Sequence, residues 1–216
     1  MRESVRPGTG PEAGAAPTPD RSGELRPSGL HDLRRGAVPA ALRYPAGDLV
    51  VVSGLPGSGK STLIKRCAGA PVVDSQRTRR RYQDRLPGWV PYALYRPLVR
   101  LSHYRGLRRA LLAGGPLVVH DCGTLPWVRS WLARSAARQG RGLHLILLDA
   151  SAAEARQGQR ARGRTVSAYA FARHRRATAD LRSRLTGAAA FALGGLASAV
   201  LLDRPGALEL RTIEFR

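Results

Sequence analysis

The chain has 216 residues, 36 of them Lys or Arg against 15 Asp or Glu, a formal net charge of +21. Two cysteines, Cys67 and Cys122, form neither a CxxC nor a metal-spaced set. That excludes a disulfide-stapled secreted scaffold and suits a reduced, cytoplasmic protein. The longest apolar stretch, residues 187–202, falls short of the roughly 20 residues needed to cross a bilayer, so no membrane is expected as a partner.

Residues 1–46 hold seven prolines and six glycines. They carry too few apolar runs to offset the entropy of ordering, and read as a disordered tail without the apolar core of a signal peptide. The expected domain is therefore 47–216. Its basic excess would attract polyanions, nucleic acid among them. However, only Lys60 and Lys65 are lysines, and Arg in place of Lys beside abundant Ala and Gly is what a GC-rich genome writes for any function. No nucleic-acid recognition fold uses the charge, so nucleic acid is not the favoured partner.

Residues 49–52 are a continuous apolar, β-branched run, as a strand buried on both faces should be. Directly after it, Gly54-Leu55-Pro56-Gly57-Ser58-Gly59-Lys60-Ser61 fills every position of G-x-x-x-x-G-K-[ST], and Thr62 opens a helix. Glycines let backbone N–H groups curl around an anion, and the helix N-terminus adds partial positive charge. Residues 54–62 are thus the expected nucleoside-triphosphate site. Lys60 is aimed at the β- and γ-phosphates, and the Ser61 hydroxyl at Mg²⁺.

Further strands are expected at 71–73, 117–121, 143–149 and from 199. Helices are expected at 75–86, 92–112, 125–139, 151–162 and 167–185, with Ser151 and Glu154 forming a capping box. Within 92–112, Leu94, Leu98, Leu101 and Tyr104 recur at three- to four-residue spacing, followed by Leu107 and Leu111. Strands alternating with helices give an α/β fold, a parallel sheet between helical layers, with ligands at the carboxyl ends of the strands.

Asp74, Asp121 and Asp149 close three of those strands and should converge on the phosphate loop. Asp74 can take the proton of an acceptor hydroxyl or cap the next helix. Arg77, or Arg79 in its place, could hold an anionic group of the acceptor in a bidentate fork. Asp121 can hold Mg²⁺ through water together with Ser61, or cap the helix after it.

With this loop, Asp-x-x-Arg after the second strand and Asp closing the third, residues 49–203 resemble the P-loop kinases of the polynucleotide-kinase/zeta-toxin-like group, which includes AAA-family ATP-binding proteins. The resemblance implies a P-loop NTPase fold, three layers around a five-stranded sheet of order 2-3-1-4-5, with ATP and Mg²⁺ bound by Lys60, Ser61 and Asp121. It implies Asp74 with Arg77 at the acceptor, and a small helical lid closing over the phosphates. The lid would come from 157–164, where Arg156, Arg160 and Arg164 fall on one helical face; Arg160 and Arg164 are its expected phosphate ligands. The acceptor is not specified: a metabolite, an antibiotic or a nucleic-acid 5′-hydroxyl. The expected activity is phosphoryl transfer from ATP. The alternative is an ATPase-type switch whose nucleotide state controls a binding surface.

Overall fold

The structure, a computed structural model, describes residues 23–120, 126–163, 166–187 and 195–216. The elements that position the site run in order from β4 (Leu49–Gly54), α1 (Lys60–Cys67), β5 (Val72–Asp74), α2 (Ser75–Gln83) and α3 (Tyr92–Leu112) to β6 (Leu117–His120). Then come α4 (Pro126–Ala137), β7 (Leu143–Leu148), α5 (Ala152–Arg160), α6 (Ala168–Thr186) and β8 (Ser198–Leu202). The strands at 49–52, 71–73, 117–121, 143–149 and 199 take the spatial order second, third, first, fourth, fifth, all parallel. The fold class is as the resemblance implied, and so is the relative order of these five strands, but the expected count of five is corrected: the sheet has a sixth strand at its edge.

Alternation sorts the core into two layers. Leu49 and Val51 of β4, with Leu143, Leu145 and Leu147 of β7, face α3, α4 and α6. Val50 and Val52, with Ile146 and Leu148, face α1. Every residue of β4 and β7 is buried, as strands covered on both faces must be.

The tail assignment is corrected for residues 23–46. They form β1 (Glu24–Leu25), β2 (Gly29–Asp32) and β3 (Ala41–Tyr44). β2 pairs with β8 as a sixth strand of the main sheet. β1 and β3 join β9 (Thr212–Phe215) in a parallel three-stranded sheet. Leu25, Leu42 and Tyr44 are buried beside Leu63 and Ile64 of α1 and Leu210 and Ile213. That second sheet shares its layer with α1 and with α7 (Arg204–Glu209). Composition missed these strands because each is two to four residues long, and the strands that β2 and β3 pair with, β8 and β9, lie more than 150 residues away. The domain therefore begins well before residue 47; residues 1–22 lie outside the described residues.

α3 also departs from expectation. Its buried side chains are Tyr95, Val99, Leu107 and Leu111, whereas Leu94, Leu98 and Leu101 are 71%, 55% and 54% exposed. Periodicity locates an apolar stripe but not what covers it. Here the neighbour is α2, which buries no residue of its own. Among the described residues no helix is long and apolar enough to cross a membrane.

Candidate active site

The phosphate loop is held in shape from three sides. Gly54, Gly57 and Gly59 have φ of 143°, 90° and 106°, a region that disfavours residues with a Cβ. A Cβ on Gly54 would lie 2.5 Å from the carbonyl oxygen of Leu148, so the loop sits directly on the end of β7. One on Gly57 would strike the Ala155 carbonyl of α5, and one on Gly158 would strike the Gly57 carbonyl. Loop and α5 therefore meet backbone to backbone. Gln159 ties them by donating Nε2–H to the Pro56 carbonyl at 2.8 Å, while its Oε1 accepts from the Val166 N–H at 3.1 Å.

Lys60 is buried, and its ammonium donates to the carbonyls of Gly54 and Leu55 at 2.7 and 2.8 Å. The Ser58 hydroxyl is buried without a partner among the described residues. α1 begins at Gly59 with no side-chain cap, leaving its first N–H groups facing the loop. An uncapped helix start, a cation and an orphaned hydroxyl around one glycine cradle fit a polyphosphate. Leu55 is buried in a small cluster with Ala155 and Phe171, so the loop's one large apolar residue anchors it to α5 and α6. Ser61 and Thr62 follow in the first turn of α1; Thr62 is exposed.

β5 and β6 bring together two groups whose pairing the sequence did not announce. Asp74 and His120 are register partners at the strand ends. A carboxylate can only accept, so His120 Nδ1–H donates to Asp74 Oδ1, at 2.9 Å. The Gln76 N–H donates to the same oxygen at 2.8 Å, so Asp74 does cap α2. Both bonds fall on Oδ1, and Oδ2 has no partner among the described residues. Burial alone would raise the Asp74 pKa. The His120 hydrogen bond and charge, the Gln76 N–H and the charge of His103 outweigh it and hold the carboxyl below its ordinary value. Asp74 is thus ionised at neutral pH, with one oxygen held and one available.

Arg79 lies over the Tyr92 ring at 4.0 Å from its centroid. Arg77 is exposed and unpaired among the described residues, one turn into α2 from Asp74.

Asp149 sits at the end of β7 beside the loop, but its carboxylate is committed. Arg34 Nη1 donates to it at 2.5 Å and Arg182 Nη1 at 3.1 Å. Asp121 and Arg164 lie outside the described residues, so the Mg²⁺ partner of Ser61 and the last lid arginine have no structural account. No group of three or more His, Cys, Asp or Glu that could hold a metal occurs among the described residues.

The single helical face expected for Arg156, Arg160 and Arg164 is corrected. α5 ends at Arg160 and gives way to a turn over 161–163. Arg156 stands over the Phe171 ring at 5.1 Å, and Arg160 is exposed with no bond partner among the described residues. Arg162 is the arginine that reaches back, donating Nη2–H to the Thr62 hydroxyl at 2.8 Å. His120 and Arg162 are the site residues that sequence reasoning passed over. Only the adjacency of His120 to a strand-end aspartate hinted at the first.

A family model described as an AAA domain matches residues 49–187, well over half of the chain. The chain belongs to this AAA domain family. Its loop and sheet are those of the P-loop kinase-like group, a nucleotide-binding architecture. No curated protein matches the chain. Among solved structures, the Deinococcus radiodurans tunicamycin resistance protein is 18% identical, with 63% of this chain and 80% of that one covered at a TM-score of 0.41. A candidate kinase from Chloroflexus aurantiacus is also 18% identical, with 74% and 86% covered at a TM-score of 0.47.

Proposed function

We propose that this AAA-family chain is a small ATP-dependent kinase that phosphorylates a hydroxyl of an acceptor bound along α2. The observation that carries the reading is a phosphate loop after β4 with an ionised carboxylate at the end of β5, two strands along the same parallel sheet. ATP, when bound by residues 54–62, supplies the transferable phosphoryl group, and Mg²⁺ on Ser61 and Asp121 supplies charge neutralisation. The cradle fits those phosphates. Lys60 leaves the carbonyls of Gly54 and Leu55 to reach them, which costs the loop two hydrogen bonds and returns a charge-assisted pair. Asp74 Oδ2 accepts the hydroxyl proton of the acceptor while His120 keeps the carboxylate from turning. Arg77 holds an anionic group of the acceptor. Arg160, Arg162 and Arg164, on and after the end of α5, exclude water and balance charge around the loop.

Asp74→Asn tests this. The amide keeps the shape and can still accept the Gln76 N–H, but it cannot take a proton. ATP affinity and melting temperature should stay close to wild type, while transfer to acceptors in a panel of alcohols falls by ~10²–10⁴-fold, the usual worth of a general base. Undiminished transfer would remove Asp74 from the mechanism. A parallel loss of ATP affinity would move it into the metal shell. Nucleotide-dependent structural change with no acceptor phosphorylated by the wild type would favour the switch.

A further inference from the structure

α2 is an unusual helix. It buries none of its residues; Arg77, Arg80 and Arg81 stand exposed on it, and Arg85 follows in the turn two residues past its end. With Asp84, these line a single open cavity of about 470 Å³. None of the four has an ion-pair or hydrogen-bond partner among the described residues, whereas Arg34, Arg66, Arg141 and Arg182 all do. Like charges at i,i+4 destabilise a helix. Here Arg77–Arg81 does so on an element with no buried side chain to compensate. What holds α2 is the Asp74 cap at one end and the contact of Arg79 with Tyr92 on α3.

We infer that this strip is the seat of the acceptor's own phosphate, so that the substrate is an alcohol already carrying one or more phosphate groups. The inference rests on the kinase reading above, since it places the acceptor relative to Asp74. Guanidinium forks match phosphate oxygens in pairs, and a bound polyanion would turn the repulsion within the strip into attraction. From Arg77 to Arg81 is about 6 Å along the axis at 1.5 Å per residue, and Arg85 lies in the turn beyond, room for two phosphate groups. Arg77 stands one turn from Asp74. A phosphate held there leaves a hydroxyl of the same molecule within reach of Oδ2. A neutral acceptor would leave the strip unsatisfied, so the strip also selects against neutral alcohols.

Hydrogen exchange on the full chain tests this, with inorganic tripolyphosphate as the probe and the phosphate loop saturated by a non-hydrolysable ATP analogue and Mg²⁺. The analogue alone should slow exchange in 54–62. Adding tripolyphosphate should then slow exchange in 75–85 at least several-fold. Arg80→Gln with Arg81→Gln should abolish the second effect and spare the first, and Arg85→Gln should weaken it. Arg175→Gln with Arg176→Gln, equally exposed on α6, should change neither. No protection in 75–85, or protection lost equally in the α6 variant, would overturn the proposal, the latter by showing diffuse charge attraction. If the analogue fails to protect 54–62, the kinase reading itself falls, and the strip's role as acceptor seat falls with it.

Discussion

Lys60 and His144 show how differently two buried basic groups can be used. Lys60 donates to carbonyls of its own loop that a phosphate can replace, so it is poised for an anion. Lys60→Ala should leave the fold intact and weaken ATP binding by roughly 10–150-fold, the worth of one hydrogen bond to a charged group. Titration with a fluorescent nucleotide checks it, and near-normal affinity would displace the loop as the binding site. His144 instead closes a buried network on the opposite side of the fold. Its Nδ1 lies 2.7 Å from the Ser198 hydroxyl and its Nε2 2.9 Å from Asp48 Oδ2. Burial pushes the imidazole pKa down from 6.5, and the Asp48 hydrogen bond and charge only partly oppose it. The native state therefore binds fewer protons than the unfolded chain. The resulting stability is fully present above about pH 6.5 and is lost as pH falls from there through the lower folded value. Urea midpoints should fall between pH 7.5 and 5.5 in wild type and do so less in His144→Gln. The depressed Asp74 carboxyl acts in a separate window, below its ordinary value of 3.8.

At the scale of elements, the contact of α5 with the loop decides between two opposed effects. By helix propensity alone, Gly158→Ala should stabilise by up to about 1 kcal/mol. The added Cβ, however, would be driven into the Gly57 carbonyl, and backbone cannot step aside as a flexible side chain would. Overpacking of this kind costs about 1–3 kcal/mol, so the net effect should be destabilising. Because the displaced atom belongs to the cradle, nucleotide affinity should fall too. A urea midpoint and a nucleotide titration on one preparation check both. α1, β7 and α5 thus form a single device, in which the Ser151–Glu154 capping box fixes where α5 starts and Gly158 fixes how closely it lies.

For the whole molecule, the decisive fact is that residues 23–46 are inside the fold. Removing 1–46 takes away the buried Leu25, Leu42 and Tyr44, each worth about 1.5–3 kcal/mol of apolar burial, and strips β8 of its outer partner. It also removes Arg34 from Asp149 beside the phosphate loop. Against a total stability of roughly 5–15 kcal/mol, the truncated chain should be unfolded or aggregated at room temperature. Circular dichroism with size-exclusion chromatography checks it. A folded, nucleotide-binding product would show that the second sheet is dispensable.

Local chemistry was legible from the residues alone. The loop motif, the β-branched strand before it, the alternation that splits β4 and β7 between two faces and the Asp74 cap all depend on neighbours within about ten positions. Tertiary structure decided whatever joins distant segments. His120 meets Asp74 only because β6 pairs with β5, and Arg79 meets the Tyr92 ring only because α3 packs beside α2. Arg162 reaches back to Thr62 because α5 stops at Arg160 and the chain turns. The short strands β1 to β3 carry too little apolar surface to signal themselves; β8 and β9 offer edges to β2 and β3, and β3 in turn offers one to β1. A motif is written in the order of the chain, whereas a site is assembled by hydrogen bonds between strand ends that the chain order leaves far apart.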